Sequence, residues 1–253
     1  MTSLADPIEE ARRIIGAAAE VGLAMRAVGG VAVALVAPTV QLVEPRRTYH
    51  DIDLVARTGA PAITRVLTSL GYGPALPFNT LNGSERLLFH DVTGRRVDIF
   101  VGTIRMCHEL RLDDRVPVAG WPLTLAPVDL LLSKLQIVEL TDRDAQDALA
   151  LLADHALTEI DWEGIELERV RDVCGRDWGW WRTVDDNLAR LIARWTDSAD
   201  PLRAVPDAAR FTAIDRAAAL RTVLATCPRS LAWRLRAAVG PRVRWYEIPE
   251  EVR

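Results

Sequence analysis

Lysine is almost absent from this chain of 253 residues. Of its 31 basic residues, 30 are arginine and only Lys134 is lysine. A chain that uses arginine wherever either residue would serve singles out Lys134 as a position where a compact ammonium is not equivalent to a planar guanidinium. Cysteine is also scarce. Cys107, Cys174 and Cys227 are odd in number and widely spaced, which suits neither a disulfide framework nor a zinc site. The four histidines, His50, His90, His108 and His155, show no metal-ligand spacing. Any metal here is therefore expected on carboxylates, as a hard ion such as magnesium or manganese. Long apolar runs are missing too, which excludes a membrane-spanning helix. The opening MTSLADPIEEARR has charges where a signal peptide has its apolar core, so a cytoplasmic protein is expected.

What is present is an apolar fraction of 49%, enough for one large domain or two small ones. The net charge of −4 is uninformative, but its distribution is not. Residues 155–200 hold 11 acids against 6 arginines, and residues 201–253 hold 10 arginines against 5 acids. The basic segment could follow a phosphate backbone or be a solvated helix face.

Along the chain, Asp6 and Pro7 open a helix with one apolar face, expected to end near Arg26. Val28-Gly29-Gly30 precedes a short apolar helix, Val31 to Val36, stopped by Pro38; residues 39–47 read as a loop. Tyr49 to Ala56 reads as a strand and residues 60–70 as a helix. Arg86–Asp91 and Arg95–Val101 flank Val92-Thr93-Gly94 as a β-hairpin. Leu123–Leu125 suggests a short strand. Pro127 opens a helix through Leu140, and Thr141 caps another to about Ala156. Further helices are expected over roughly 162–174, 180–195, 208–225 and 229–238. The fold class is α/β (α+β), a mixed sheet with flanking helices followed by a helical half. The expected domains are 1–120 and 121–253.

Asp51 and Asp53 are two apart on a strand, so both point to one face. Two adjacent bare carboxylates repel, and a cation relieves the cost. Asp98 is another lone acid in an apolar strand, Arg96-Val97-Asp98-Ile99-Phe100. If the strands are neighbours, three carboxylates converge as two-metal phosphoryl transfer requires, with Asp98 as general base or its orienter. Gly29-Gly30 at a helix start lets a phosphate approach the backbone.

Together these elements resemble the polymerase-β-like nucleotidyltransferase superfamily. The resemblance implies magnesium (or manganese) on Asp51, Asp53 and Asp98, nucleotide binding at Gly29 and Gly30, and transfer of a nucleoside monophosphate from an NTP. The stretch Leu132-Ser133-Lys134-Leu135-Gln136 with Asp142-Arg143-Asp144-Ala145-Gln146-Asp147 resembles the AbiEii-like branch, which includes MenT-type toxins of toxin–antitoxin systems. It implies that Lys134 meets the triphosphate, that Arg143 and Asp144 support the nucleotide site, and that the helical domain completes that site. Twenty residues, 31–50, separate Gly30 from Asp51, more than the family usually shows. The implied partners are an NTP, an acceptor such as RNA (a tRNA 3′ end), and an antitoxin protein. An antibiotic nucleotidyltransferase using the acidic stretch for a cationic drug, and a non-catalytic nucleotide-binding relative, are the alternatives. Trp178, Trp180 and Trp181, like Trp233 and Trp245, suit either base stacking or core packing.

Overall fold

The structure is a computed structural model that describes residues 3–43, 46–57, 59–117, 120–159, 163–200 and 205–248. It divides into two compact units. One comprises residues 1–36, 48–104 and 110–126, and the other residues 37–47, 105–109 and 127–253.

The first unit is a mixed α/β layer. Helix α1, Pro7–Glu20, starts where Asp6 accepts from the Ile8 N–H at 2.7 Å. It stops short of the expected Arg26. Gly22 takes a left-handed φ of +72°, and Met25–Val28 becomes strand β1. The cause is long-range: β1 pairs antiparallel with strand β2, Ile52–Ala56. Helix α2, Gly29–Val36, follows β1 directly, and helix α3, Ala60–Ser69, follows β2. Strand β3, Gly73–Pro74, and helix α4, Leu76–Asn82, which buries none of its residues, also escaped the sequence pattern. The expected hairpin is strand β4, Arg86–His90, and strand β5, Arg96–Val101, paired antiparallel.

The five strands lie in the order β1-β2-β5-β4-β3. Only β2 and β5 run parallel. One sheet face is wholly apolar: Met25, Ala27, Ile52, Leu54, Val97, Ile99 and Phe89 are fully buried. The other carries Arg26, Asp53, Asp98, Arg86 and Arg96. Leu123–Leu125 contributes only a bridge, Thr124 beside Ala27.

The second unit is helical. It contains α5 (Pro127–Leu135), α6 (Asp142–Asp154), α7 (Leu167–Arg176), α8 (Trp178–Thr196), α9 (Asp207–Thr226) and α10 (Leu231–Val239). Helix α5 ends at Leu135, not Leu140, because Asn187 of α8 donates to the carbonyls of Leu135 and Ile137 at 2.8 and 2.7 Å. Those carbonyls are satisfied without another turn of helix. Helix α7 starts later than expected because Ile165–Glu166 pairs as a short parallel strand with Leu157–Thr158; residue 162 of that expectation lies outside the described residues. The expected loop 39–47 holds a 3-10 turn, Pro38–Leu42, where Thr39 donates to Asp154 through its N–H at 2.8 Å and its hydroxyl at 2.6 Å. This segment belongs to the second unit, which accounts for the long spacing between Gly30 and Asp51. All three cysteines are free and buried. Among the described residues no helix is long and apolar enough to cross a membrane.

Candidate active site

Strand register brings Asp53 and Asp98 together. Asp53 and Asp98 are direct partners on the parallel strands β2 and β5, so their side chains leave the same face one strand spacing apart, about 4.8 Å. Asp51 lies one residue before β2 and reaches Arg96, two residues before Asp98, at 2.8 Å. Asp51 is 43% exposed, Asp53 half-buried and Asp98 1% exposed, so the trio runs from solvent into the sheet.

Gly29 closes one side of this site. Its φ is +67°, and a Cβ there would collide with the Asp53 carboxylate. The sequence reading gave this glycine to phosphate approach; here it also clears room for a carboxylate. Gly30 follows it in the first turn of α2.

Arginines were the part that sequence reasoning missed. Arg86 of β4 grips Asp98 with both arms, Nε on Oδ1 at 2.8 Å and Nη2 on Oδ2. Its guanidinium lies 5.1 Å from the Phe100 ring and 6.0 Å from Phe78. Arg26 shares the face, and burial draws its pKa below the ordinary guanidinium range. As the side chains stand, no group of three or more His, Cys, Asp or Glu among the described residues is arranged around a metal position. The donor chemistry nonetheless fits a hard cation: oxygen ligands only, on one face, with a side-chain-free glycine beside them.

The second unit holds the Lys134 network. Lys134 Nζ lies 2.9 Å from Asp147 Oδ2 and 3.2 Å from Asp144 Oδ1. Asp147 is fully buried and is also paired with Arg47. Burial alone would lower the Lys134 pKa, but the carboxylates of Asp147 and Asp144 outweigh it and raise the value. Asp144 is also the capping-box residue of α6: its Oδ2 accepts from the Thr141 N–H at 3.1 Å and hydroxyl at 2.7 Å. Arg143 is exposed, and its backbone carbonyl accepts from Arg47 at 3.3 Å. Asp147, which closes the motif that begins at Asp142, and Arg47, in the Arg46-Arg47-Thr48 stretch ahead of the Asp pair, are thus part of the cluster.

The tryptophans are mostly packing. Trp178, Trp180 and Trp233 are buried, and Trp181 donates to the Leu224 carbonyl at 3.0 Å while meeting Trp233 edge-on. Five of the eleven acids of 155–200 pair with arginines: Glu159 with Arg171, Asp172 with Arg176, Asp185 with Arg221, Asp186 with Arg182 and Asp200 with Arg194. His50 is exposed, and Ser133 donates to the Leu130 carbonyl.

No family model matches the chain, and no curated protein matches it. Among solved structures it is similar to JHP933 from Helicobacter pylori, with a TM-score of 0.41 and 12% identity over 93% of this chain and 99% of that one. A likeness at that level assigns neither fold nor activity.

Proposed function

We propose that the protein is a metal-dependent nucleotidyltransferase that moves a nucleoside monophosphate from an NTP to an acceptor hydroxyl. The observation that carries this reading is the register pairing of Asp53 with Asp98, with Asp51 on the same face. Asp51, Asp53 and Asp98 would hold a divalent cation, which would supply charge neutralisation on the triphosphate and activation of the attacking oxygen. The acceptor oxygen bonds to the α-phosphorus, the bond from that phosphorus to the bridging oxygen of the β-phosphate breaks, and pyrophosphate leaves with the electron pair. Asp98 receives or orients the hydroxyl proton. Gly29 leaves the space that the Asp53 carboxylate occupies, and Gly30, in the first turn of α2, offers backbone to phosphate. In the second unit the reading gives Lys134 to phosphate and makes Asp144 and Arg143 its supports, on the strength of the motif resemblance.

The acceptor favoured is RNA, with a tRNA 3′ end as the specific case and a growth-blocking toxin, restrained by an antitoxin protein, as the setting. The pairing of five of the eleven acids of 155–200 with arginines weighs against the cationic-antibiotic alternative, which needs that stretch unpaired. Purified protein with magnesium, α-labelled NTPs and total RNA tests the reading: label is expected in RNA, and Asp51→Ala is expected to abolish it. Label on an aminoglycoside or lincosamide instead would keep the transfer chemistry and remove the RNA acceptor. Magnesium-dependent NTP binding with no transfer to either would make the protein a non-catalytic relative.

A further inference from the structure

A carboxylate buried as deeply as Asp98, at 1% exposure, cannot be left ionised without a counter-charge. The fold supplies one from the neighbouring strand. Leu88 is the register partner of Asp98, and Arg86, two residues away on the same face, reaches diagonally to take both carboxylate oxygens. The same carboxylate stands beside Asp53. A divalent cation shared by Asp53 and Asp98 and the guanidinium of Arg86 therefore compete, charge against charge, for one buried acid.

Arg86 is built to give way. Its side chain is 22% exposed, and its guanidinium lies over Phe100 and Phe78, whose ring faces can hold a cation released from Asp98. A plain structural pair needs neither a neighbouring acid nor a place for its arginine to go.

We propose that Arg86 is the exchangeable counter-ion of the carboxylate site, holding Asp98 in the cation-free protein and displaced from it when a divalent cation binds. This rests on the assignment of Asp51, Asp53 and Asp98 as cation ligands. Arg86 is then a positioning residue that keeps the site assembled while empty and sets the cation concentration at which it loads.

The test is cation binding, measured without turnover. Wild-type full chain and Arg86→Met are titrated with Mg2+ and with Mn2+ by calorimetry, and thermal unfolding is followed in chelator and in excess cation. Arg86→Met is expected to be less stable than wild type in chelator, to recover on adding cation, and to bind the cation on the order of tenfold tighter, since no charged hydrogen bonds are displaced. Arg86→Lys keeps the charge but loses the fork and guards against a variant that fails to fold; it is expected to shift affinity the same way by less. Equal or weaker cation affinity in both variants, with Asp51→Asn still weakening binding, overturns the role of Arg86 and leaves the cation site standing. No response to either cation in any variant overturns the cation site, and the exchange with it.

Discussion

Gly29 lacks a side chain for two separate reasons. Its backbone is left-handed at φ +67°, and a Cβ would strike the Asp53 carboxylate. Gly29→Ala is therefore expected to cost about 1–2 kcal/mol from the backbone alone and to push Asp53 out of register with Asp98. Gly16, exposed in the middle of α1 with nothing near its missing Cβ, is the opposite case. Gly16→Ala is expected to stabilise by about 1 kcal/mol through helix propensity. Urea denaturation of the two variants should move in opposite directions, and cation binding should weaken only at position 29. His108 offers a second residue-scale test. Burial lowers its pKa to about 4, with Asp177 working the other way, and its ring nitrogen lies 2.8 Å from the Thr183 hydroxyl. Between the unfolded value near 6.5 and about 4, the unfolded chain binds a proton that the folded one does not. Stability should therefore fall as pH drops through that window, by about 3 kcal/mol at its foot. Unfolding free energies at pH 7.5 and pH 4.5 should differ by less in His108→Gln; an unchanged difference would show that another group governs the acid side.

At the scale of elements, the start of α6 joins local structure to the Lys134 network. Thr141 and Asp144 cap it reciprocally, while the other oxygen of Asp144 holds Lys134. Thr141→Ala is expected to cost about 1 kcal/mol and to loosen Lys134 as Asp144 loses its anchor, read by denaturation and by nucleotide affinity. This cap was legible in the sequence because capping is local, and so was the β4–β5 hairpin. The end of α1 was not: Met25–Val28 is a strand only because β2 pairs with it, and no periodicity within residues 7–28 contains that fact. Helix α4 was invisible for a different reason, since a helix that buries nothing leaves no apolar stripe to read. The aspartates stood out as lone acids among apolar strand residues. Arg86 and Arg96 did not, because an arginine is unremarkable in a chain with 30 of them and its partner is decided by strand register.

Across the whole molecule the arginine excess serves internal structure more than an outward charge. In the C-terminal segment Arg210 donates to the Trp195 carbonyl, Arg216 to the carbonyls of Leu152 and Ala153, and Arg236 to those of Gly240 and Val243. Arg221 pairs with Asp185, and Arg229 lies over Trp181 and Trp233. Among the described residues of that segment, the arginines that stand exposed are Arg234, Arg242 and Arg244. If RNA is the acceptor and this segment follows its backbone, few phosphates are neutralised, whatever the sequence count of arginines implies. Each phosphate contact to a single strand contributes a slope of about −0.7 to log K against log salt, so three contacts give about −2. Fluorescence anisotropy of a labelled single-stranded RNA between low and physiological salt should show that shallow slope, and replacing Arg234, Arg242 and Arg244 together by glutamate should remove both binding and slope. A slope several times steeper would mean that arginines now tied to carbonyls and carboxylates let go on binding. Unaltered binding by the triple variant would move the acceptor surface away from this segment altogether, without bearing on the transfer proposed for the aspartates of the sheet.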